Sequence, residues 1–274
     1  MESVLSAVAD TSPLVQHLTN EVTMRETANV TLHWGGLPVM ADAMAEAGEM
    51  ATGADAVLIN TGRMTEDELD AMVAAGKGAN KAGVPVVLDP VGYGATEFRV
   101  AANQRILRDV DVTLIKGNYG EVSGLAGDAA QIRGVEAVGE HADVAASARA
   151  LAKETDATVV ASGETDVVAD PGGDAFELAV GHARMASFVG TGCMLGSTLA
   201  TFLGGLGMDE APAANPTEAA LFGVAAFGLA GERAADADVS GPASYRTAFM
   251  DEVAYVASEQ PLLNVSGRLT PISD

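Results

Sequence analysis

The sequence predicts an α/β fold with a central, mostly parallel sheet flanked by helices on both faces. Three observations carry this. Apolar runs of strand length recur at 54–59, 84–88, 112–115 and 158–161. Segments with helical spacing separate them, at 65–82, 98–108 and 142–154. Each apolar run stops at a polar or glycine-bearing corner. Continuous apolar strands, as opposed to alternating ones, suit a sheet covered on both sides. The strand–helix alternation implies right-handed crossovers.

The corners, in order, are Asn60-Thr61-Gly62, Asp89-Pro90-Val91-Gly92, Lys116-Gly117-Asn118 and Ser162-Gly163-Glu164. Ligands of open α/β sheets sit at the carboxyl ends of the strands. One such corner reads equally well as turn chemistry; four on successive strands point to a site. After Ser162 the pattern changes. Val167-Val168-Ala169 and residues 176–180 flank Asp170-Pro171-Gly172-Gly173, which reads as a hairpin. An apolar helical run follows Gly190-Thr191-Gly192-Cys193. Asn215-Pro216-Thr217-Glu218 has an N-cap, a first-position proline and a third-position glutamate, so a helix is expected through about residue 235. Another spans about 242–258. The Gly/Asp-rich stretch 126–139 reads as a surface excursion. No linker or repeat interrupts the pattern, so residues 1–274 are expected to form a single domain.

Composition narrows the function classes. Hydrophobic residues make up 48% of the chain and aromatics only 4%, so the core must be built from Ala, Val, Leu and Gly. No apolar run approaches the ~18 residues of a membrane span. Met1-Glu2-Ser3 lacks the basic start of a secretion signal, and one cysteine forms no internal disulfide. A cytoplasmic location is expected. The formal net charge of -23 disfavours nucleic acid and anionic membranes as partners. It would also oppose an anionic nucleotide unless helix ends, glycine turns or a divalent metal override it locally. High salt would screen the long-range field, since the Debye length is ~3 Å at 1 M. A halophilic setting is therefore expected.

Gly190-Thr191-Gly192-Cys193 is the most informative stretch. Free N–H groups and the positive end of the dipole make a helix N-terminus an anion site. Glycine lets the anion approach the backbone closely. This is the chemistry of phosphoryl transfer, which needs positioning and charge neutralisation more than covalent catalysis. Lys116 can neutralise phosphate oxygens as a point charge. Asp89, before a proline turn compatible with a cis bond, is a candidate metal or water ligand. Glu121, one turn into the helix opened by Asn118, can hold Mg²⁺ through water; it can equally be a capping partner of Asn118. Cys193 reads either as a small buried hydrophobe or as a thiol whose pKa falls below the free value of about 8.5 at the helix end. His17, His33, His141 and His182 show no metal-ligand spacing and read as structural.

Six motifs in order give these residues a common context. They are PLVQHLTNEVT (13–23), ANVTLHWGGLPVMADA (28–43), VVLDPVGYGAT (86–96), IKGNYGEVSGLAG (115–127), ASGETDVVAD (161–170) and GHARMASFVGTGC (181–193). Together they resemble hydroxyethylthiazole kinase, a thiamin-salvage family of the ribokinase-like superfamily. Cysteine in place of that superfamily's usual GTGD aspartate is the most discriminating feature. The resemblance implies ATP-dependent phosphorylation of the hydroxyl of 4-methyl-5-(2-hydroxyethyl)thiazole, with Mg²⁺. It places the thiazole near Asn20, Met40 and the Gly190 backbone. It places the ATP phosphates against Lys116, Gly190, Thr191 and Gly192, with Ser162 also on the nucleotide. Asp89 and Glu121 fall at metal-associated positions, and Cys193 approaches the substrate hydroxyl. It further implies a homotrimer whose sites are shared between subunits. Met40 can also be a gap-filling core residue.

This chain departs from the family pattern at three positions. Lys116 stands where Arg is usual, Ser162 where Thr is usual, and Leu18 where a smaller residue or Cys is usual. Two other functions are compatible with the fold. One is a nucleotide-dependent dehydratase of hydrated nicotinamide cofactors, which would be expected to keep the GTGD aspartate. The other is a catalytically silent nucleotide- or thiazole-binding protein.

Overall fold

A computed structural model describes residues 2–127, 141–207, 215–260 and 265–273. The amino-terminal part holds α1 (Glu2–Thr11), β1 (Leu14–Leu18), α2 (Met24–Trp34), β2 (Leu37–Val39) and α3 (Ala47–Ala51). Next come β3 (Ala56–Asn60), α4 (Glu66–Ala82), β4 (Val86–Asp89), α5 (Glu97–Asp109) and β5 (Leu114–Asn118). The chain continues through α6 (Tyr119–Leu125), α7 (His141–Thr155), β6 (Thr158–Ser162), β7 (Asp166–Ala169) and β8 (Ala175–Leu178). A 3₁₀ turn (Ala183–Ser187) leads to α8 (Thr191–Gly205), α9 (Pro216–Asp236), α10 (Pro242–Glu259) and β9 (Leu269–Pro271).

Among the described residues, nine strands join one sheet in the order β2-β1-β3-β4-β5-β6-β7-β8-β9. Pairing is parallel from β2 to β6. It is antiparallel from β6 to β9, because β7 and β8 form the expected hairpin. Successive side chains of a strand point to opposite faces. Ala56 and Leu58 of β3 therefore join a core built with α1, α2, α8, α9 and α10. Val57 and Ile59 join the opposite core, built with α3 to α7. Helices cover both faces, as the continuous apolar strands require.

The parallel strands run slightly beyond the apolar segments. Asn60, Asp89, Asn118 and Ser162 are the last residues of β3, β4, β5 and β6, not the first residues of loops. Strand geometry, not loop geometry, therefore aims these side chains. Helix ends are well specified. Thr65, Asn118 and Asn215 each form a reciprocal capping box, with Glu68, Glu121 and Glu218. The Asp89–Pro90 bond is trans, like every other peptide bond among the described residues. The stretch 126–139, expected as a surface excursion, lies almost wholly outside the described residues. Among the described residues, no helix is long and apolar enough to cross a membrane.

Candidate active site

Four neighbouring strands deliver polar side chains to their carboxyl ends. Asn20 follows β1, Asn60 ends β3, Asp89 ends β4, and Lys116 lies near the end of β5. All four are buried. Hydrogen bonds satisfy them in a row. Asn20 Nδ2 donates to Asn60 Oδ1 at 2.9 Å. Asn60 Nδ2 donates to Asp89 Oδ2 at 2.7 Å. Lys116 Nζ donates to Asp89 Oδ1 at 3.4 Å.

The first turn of α8 closes over this row. Gly190 is its N-cap, with φ 103°, and no side chain caps the end. The free N–H groups of the first turn are thus available to an anion. Three glycines set the close approach. A Cβ at Gly190 would stand 3.0 Å from Thr23 Cγ2, one at Gly192 would stand 3.1 Å from Lys116 Nζ, and one at Gly196 would stand 3.4 Å from Asp89 Oδ2. The Lys116 ammonium therefore sits directly beneath the uncapped helix end. Thr191 Oγ1 donates to the Met185 carbonyl at 2.6 Å, which ties the turn down. Cys193 lies in that turn, with Asn20 Nδ2 at 3.6 Å from its sulfur.

Burial sets the ionisation of the group. Desolvation and the Glu121 charge push Asp89 up to about 7, against the pull of Lys116 and Asn60. For Lys116, burial favours loss of the proton, but the Asp89 and Glu121 charges outweigh it and hold the pKa above the ordinary lysine value. Burial and Asp89 push the Cys193 thiol up. Of the two readings of Cys193, these surroundings favour the buried thiol that keeps its proton at neutral pH over the one whose pKa falls at the helix end.

The capping role of Glu121 is present. Its Oε2 accepts from Asn118 N and its Oε1 from Gly92 N, each at 2.7 Å. Asn118 Oδ1 in return accepts from Glu121 N at 2.9 Å. Among the described residues, no three His, Cys, Asp or Glu side chains cluster as a metal cage. Ser162 stands one strand further along, opposite Asn118, and donates to the Gly117 carbonyl at 3.2 Å. Met40 follows the edge strand β2, half-buried and outside the hydrogen-bonded row.

Two contributors go beyond the named candidate residues. Asn60, which the sequence marks only within the corner Asn60-Thr61-Gly62, joins Asn20 to Asp89. Arg99 of α5 left no signal. Its guanidinium donates to the carbonyls of Thr61, Gly62 and Val91, each at 2.7 Å, and clamps the loops after β3 and β4 together. A cavity of about 700 Å³ lies at the other end of the sheet, between Val84, Thr113, Thr158 and Thr217, far from this chemistry.

Comparisons with known proteins identify the family. A family model described as the hydroxyethylthiazole kinase family matches residues 5–259. A hydroxyethylthiazole kinase of Natronomonas pharaonis is 51% identical over 255 residues, covering 93% of this chain and 90% of the relative. One of Haloquadratum walsbyi is 48% identical, covering 92% and 86%. The solved structure of a hydroxyethylthiazole kinase protein from Pyrococcus horikoshii OT3 superposes with a TM-score of 0.83 at 31% identity, over the whole of both chains. An ADP/ATP-dependent NAD(P)H-hydrate dehydratase from Bacillus subtilis gives a TM-score of 0.59 at 17% identity, a likeness of fold alone. The chain belongs to the hydroxyethylthiazole kinase family.

Proposed function

We propose that this enzyme transfers the terminal phosphoryl group of ATP to the hydroxyl of 4-methyl-5-(2-hydroxyethyl)thiazole. The observation that carries the reading is the Lys116 ammonium beneath the uncapped end of α8, with Cys193 in the same turn. Backbone N–H groups of Thr191, Gly192 and Cys193, with Lys116, neutralise the transferring group. Positioned donors of this kind stabilise charge where it develops. Gly190 gives the thiazole a backbone contact, and Asn20 orients it beside the sulfur. Met40 supplies an apolar wall, and Ser162 binds the nucleotide. Cys193 orients the acceptor hydroxyl; its protonated thiol suits a donor or spacer better than a base. A loose transition state leaves little need for a strong base.

Asp89 and Glu121 suit Mg²⁺ held through water. Mg²⁺ keeps several waters and takes one or two carboxylates besides substrate phosphates. Each carboxylate oxygen that accepts one hydrogen bond retains a further lone pair. The metal would neutralise phosphate charge.

Other properties follow the same reading. The continuous sheet formed by the described residues supports the reading of one domain over residues 1–274. Exposed Val22, Leu32, Leu37 and Met44, all in the amino-terminal part, are compatible with assembly as a homotrimer that shares its sites. An unpaired cysteine suits the cytoplasm, and a net charge of -23 suits high salt. The test of function is direct. Purified protein, ATP, Mg²⁺ and the thiazole alcohol should yield ADP and the phosphate ester, identified by mass. Turnover of a nicotinamide hydrate without that ester would sink the assignment.

A further inference from the structure

We propose that Asn60 is a positioning residue of this site: its amide holds the Asp89 carboxylate and the Asn20 amide in one frame, and through Asn20 the Cys193 sulfur. The proposal rests on the kinase reading above for its catalytic consequence, but its geometry stands independently.

The orientation of each amide follows from backbone donors. Gly62 N lies 3.0 Å from Asn60 Oδ1. A backbone N–H can only donate, so the oxygen of Asn60 must face it. The nitrogen then faces Asp89 Oδ2, its acceptor at 2.7 Å. The same logic fixes Asn20. Its Oδ1 accepts from Thr23 N at 3.2 Å. Its Nδ2 is therefore the atom turned to Asn60 Oδ1 at 2.9 Å and to Cys193 Sγ at 3.6 Å. Neither amide can flip without setting a donor against a donor.

The packing leaves no slack around this junction. Asn60 is fully buried, and it is directly opposite Asp89 in the parallel register of β3 and β4. A Cβ at Gly62 would stand 2.8 Å from Asn20 Nδ2 and 3.0 Å from Asn60 Oδ1. Arg99 secures the Thr61 and Gly62 carbonyls beyond it. Asn60 thus links Asn20 to Asp89 directly, accepting from the one and donating to the other. It donates to the side that carries charge and accepts from the side that meets the acceptor substrate. A misplacement near 1 Å can cost a reaction about 100-fold.

Two variants test this. Asn60→Leu keeps the volume but removes both the donor to Asp89 and the acceptor for Gly62 and Asn20. Asn60→Ser is too short to reach both partners. Each is first checked for folding by circular dichroism and thermal melting, alongside the wild type. Folded variants are expected to lose kcat by about 100-fold, with KM for ATP and for the thiazole alcohol within threefold of wild type. Cys193, the chain's one thiol, gives a second readout: in folded Asn60→Ser its alkylation by iodoacetamide should speed up several-fold as Asn20 is released. That readout holds even if wild-type protein forms no thiazole phosphate, so failure of the functional reading stays separate. Loss confined to the thiazole KM would make Asn60 a substrate contact and overturn the proposal. So would a folded variant with unchanged kcat and unchanged alkylation rate. If neither variant folds in dilute buffer, both measurements are made in stabilising salt under the same criteria.

Discussion

Lys116 Nζ stands 3.4 Å from Asp89 Oδ1, and both side chains are sealed from solvent. Breaking a buried pair by removing one partner leaves an uncompensated charge and costs about 3–5 kcal/mol. Lys116→Met should therefore destabilise the fold as well as abolish activity. The sign of its pH dependence is specific. In the wild type Asp89 already titrates near 7, above the unfolded value of 3.8. Ionising it costs stability as pH rises through that window, and the loss levels off above 7. Without Lys116 the folded pKa climbs further. The variant should keep losing stability between pH 7 and 9, by up to about 1.4 kcal/mol per unit, relative to wild type. Chemical denaturation at pH 6, 7.5 and 9 measures this. Parallel curves for the two proteins would show that the pair is not what balances Asp89.

Cys193 should prove dispensable as a base. A positioned general base typically contributes 10²- to 10⁴-fold, yet burial and Asp89 keep this thiol protonated. Cys193→Ser should retain activity within about tenfold, since a hydroxyl orients the acceptor as well as a thiol does. Cys193→Asp should also remain active, with Lys116 balancing the added carboxylate. A drop of more than about 100-fold in folded Cys193→Ser, at every pH tested, would return the sulfur to the role of proton acceptor.

The residues of this site were unequally legible. Lys116, Asp89 and the Gly190–Cys193 turn stand next to strand or helix boundaries that apolar patterning marks, so their convergence follows from the rule that ligands gather at strand carboxyl ends. The helices α4, α5, α7 and α9 fall within a few residues of their expected bounds for the same reason, helped by Thr65 and Asn215 as caps. The amino-terminal strands were not legible. In β1 the buried Gln16 and His17 break the apolar run, and β2 has three residues with an exposed Leu37. Arg99 was silent because it binds carbonyls 37 and 38 positions away, which any residue type can offer. The ionisation of Cys193 stayed open in the sequence because the helix end is local and visible there, whereas burial and Asp89 are tertiary.

Glu121 carries two roles that one substitution separates. Both its oxygens accept backbone N–H groups, of Asn118 and Gly92. In Glu121→Gln one oxygen becomes an NH₂ that faces a donor, and an unsatisfied buried group costs about 1–3 kcal/mol. The variant should melt lower than wild type in the absence of Mg²⁺. If the carboxylate also places the metal, kcat should fall further than KM for ATP changes, even at saturating Mg²⁺. A lower melting temperature with wild-type kcat would leave Glu121 a capping residue alone.

With 38 acidic and 15 basic residues, the chain repels itself in dilute buffer. Screening by concentrated salt reduces that repulsion and the long-range repulsion of ATP. Melting temperature and kcat/KM for ATP should both rise from 0.05 M to about 2 M KCl. A maximum of both in dilute buffer would dismiss the halophilic reading.

His17 offers the sharpest stability test, because its sign opposes that of the buried acids. It is buried between β1 and α2, with Nε2 at 3.2 Å from Thr31 Oγ1. Among the described residues Nδ1 has no partner. Thr201 of α8 approaches the same Thr31 hydroxyl at 3.5 Å, so no carboxylate among these partners compensates a charged ring. Burial lowers the His17 pKa from 6.5 to about 4. Between those values the unfolded chain binds the proton and the folded chain does not, so stability falls as pH drops from 6.5 toward 4. The full effect is about 3 kcal/mol. Asp89 and Asp166, both raised to about 7, push the other way over part of that range. The comparison must therefore be between wild type and His17→Gln, which keeps a hydrogen-bonding group for Thr31 and does not titrate. Denaturation free energies at pH 7.5 and 4.5 should show the wild type losing at least 2 kcal/mol more than the variant on acidification. Equal losses would mean that His17 finds a partner for its second proton, and that the ring is not held neutral by its surroundings.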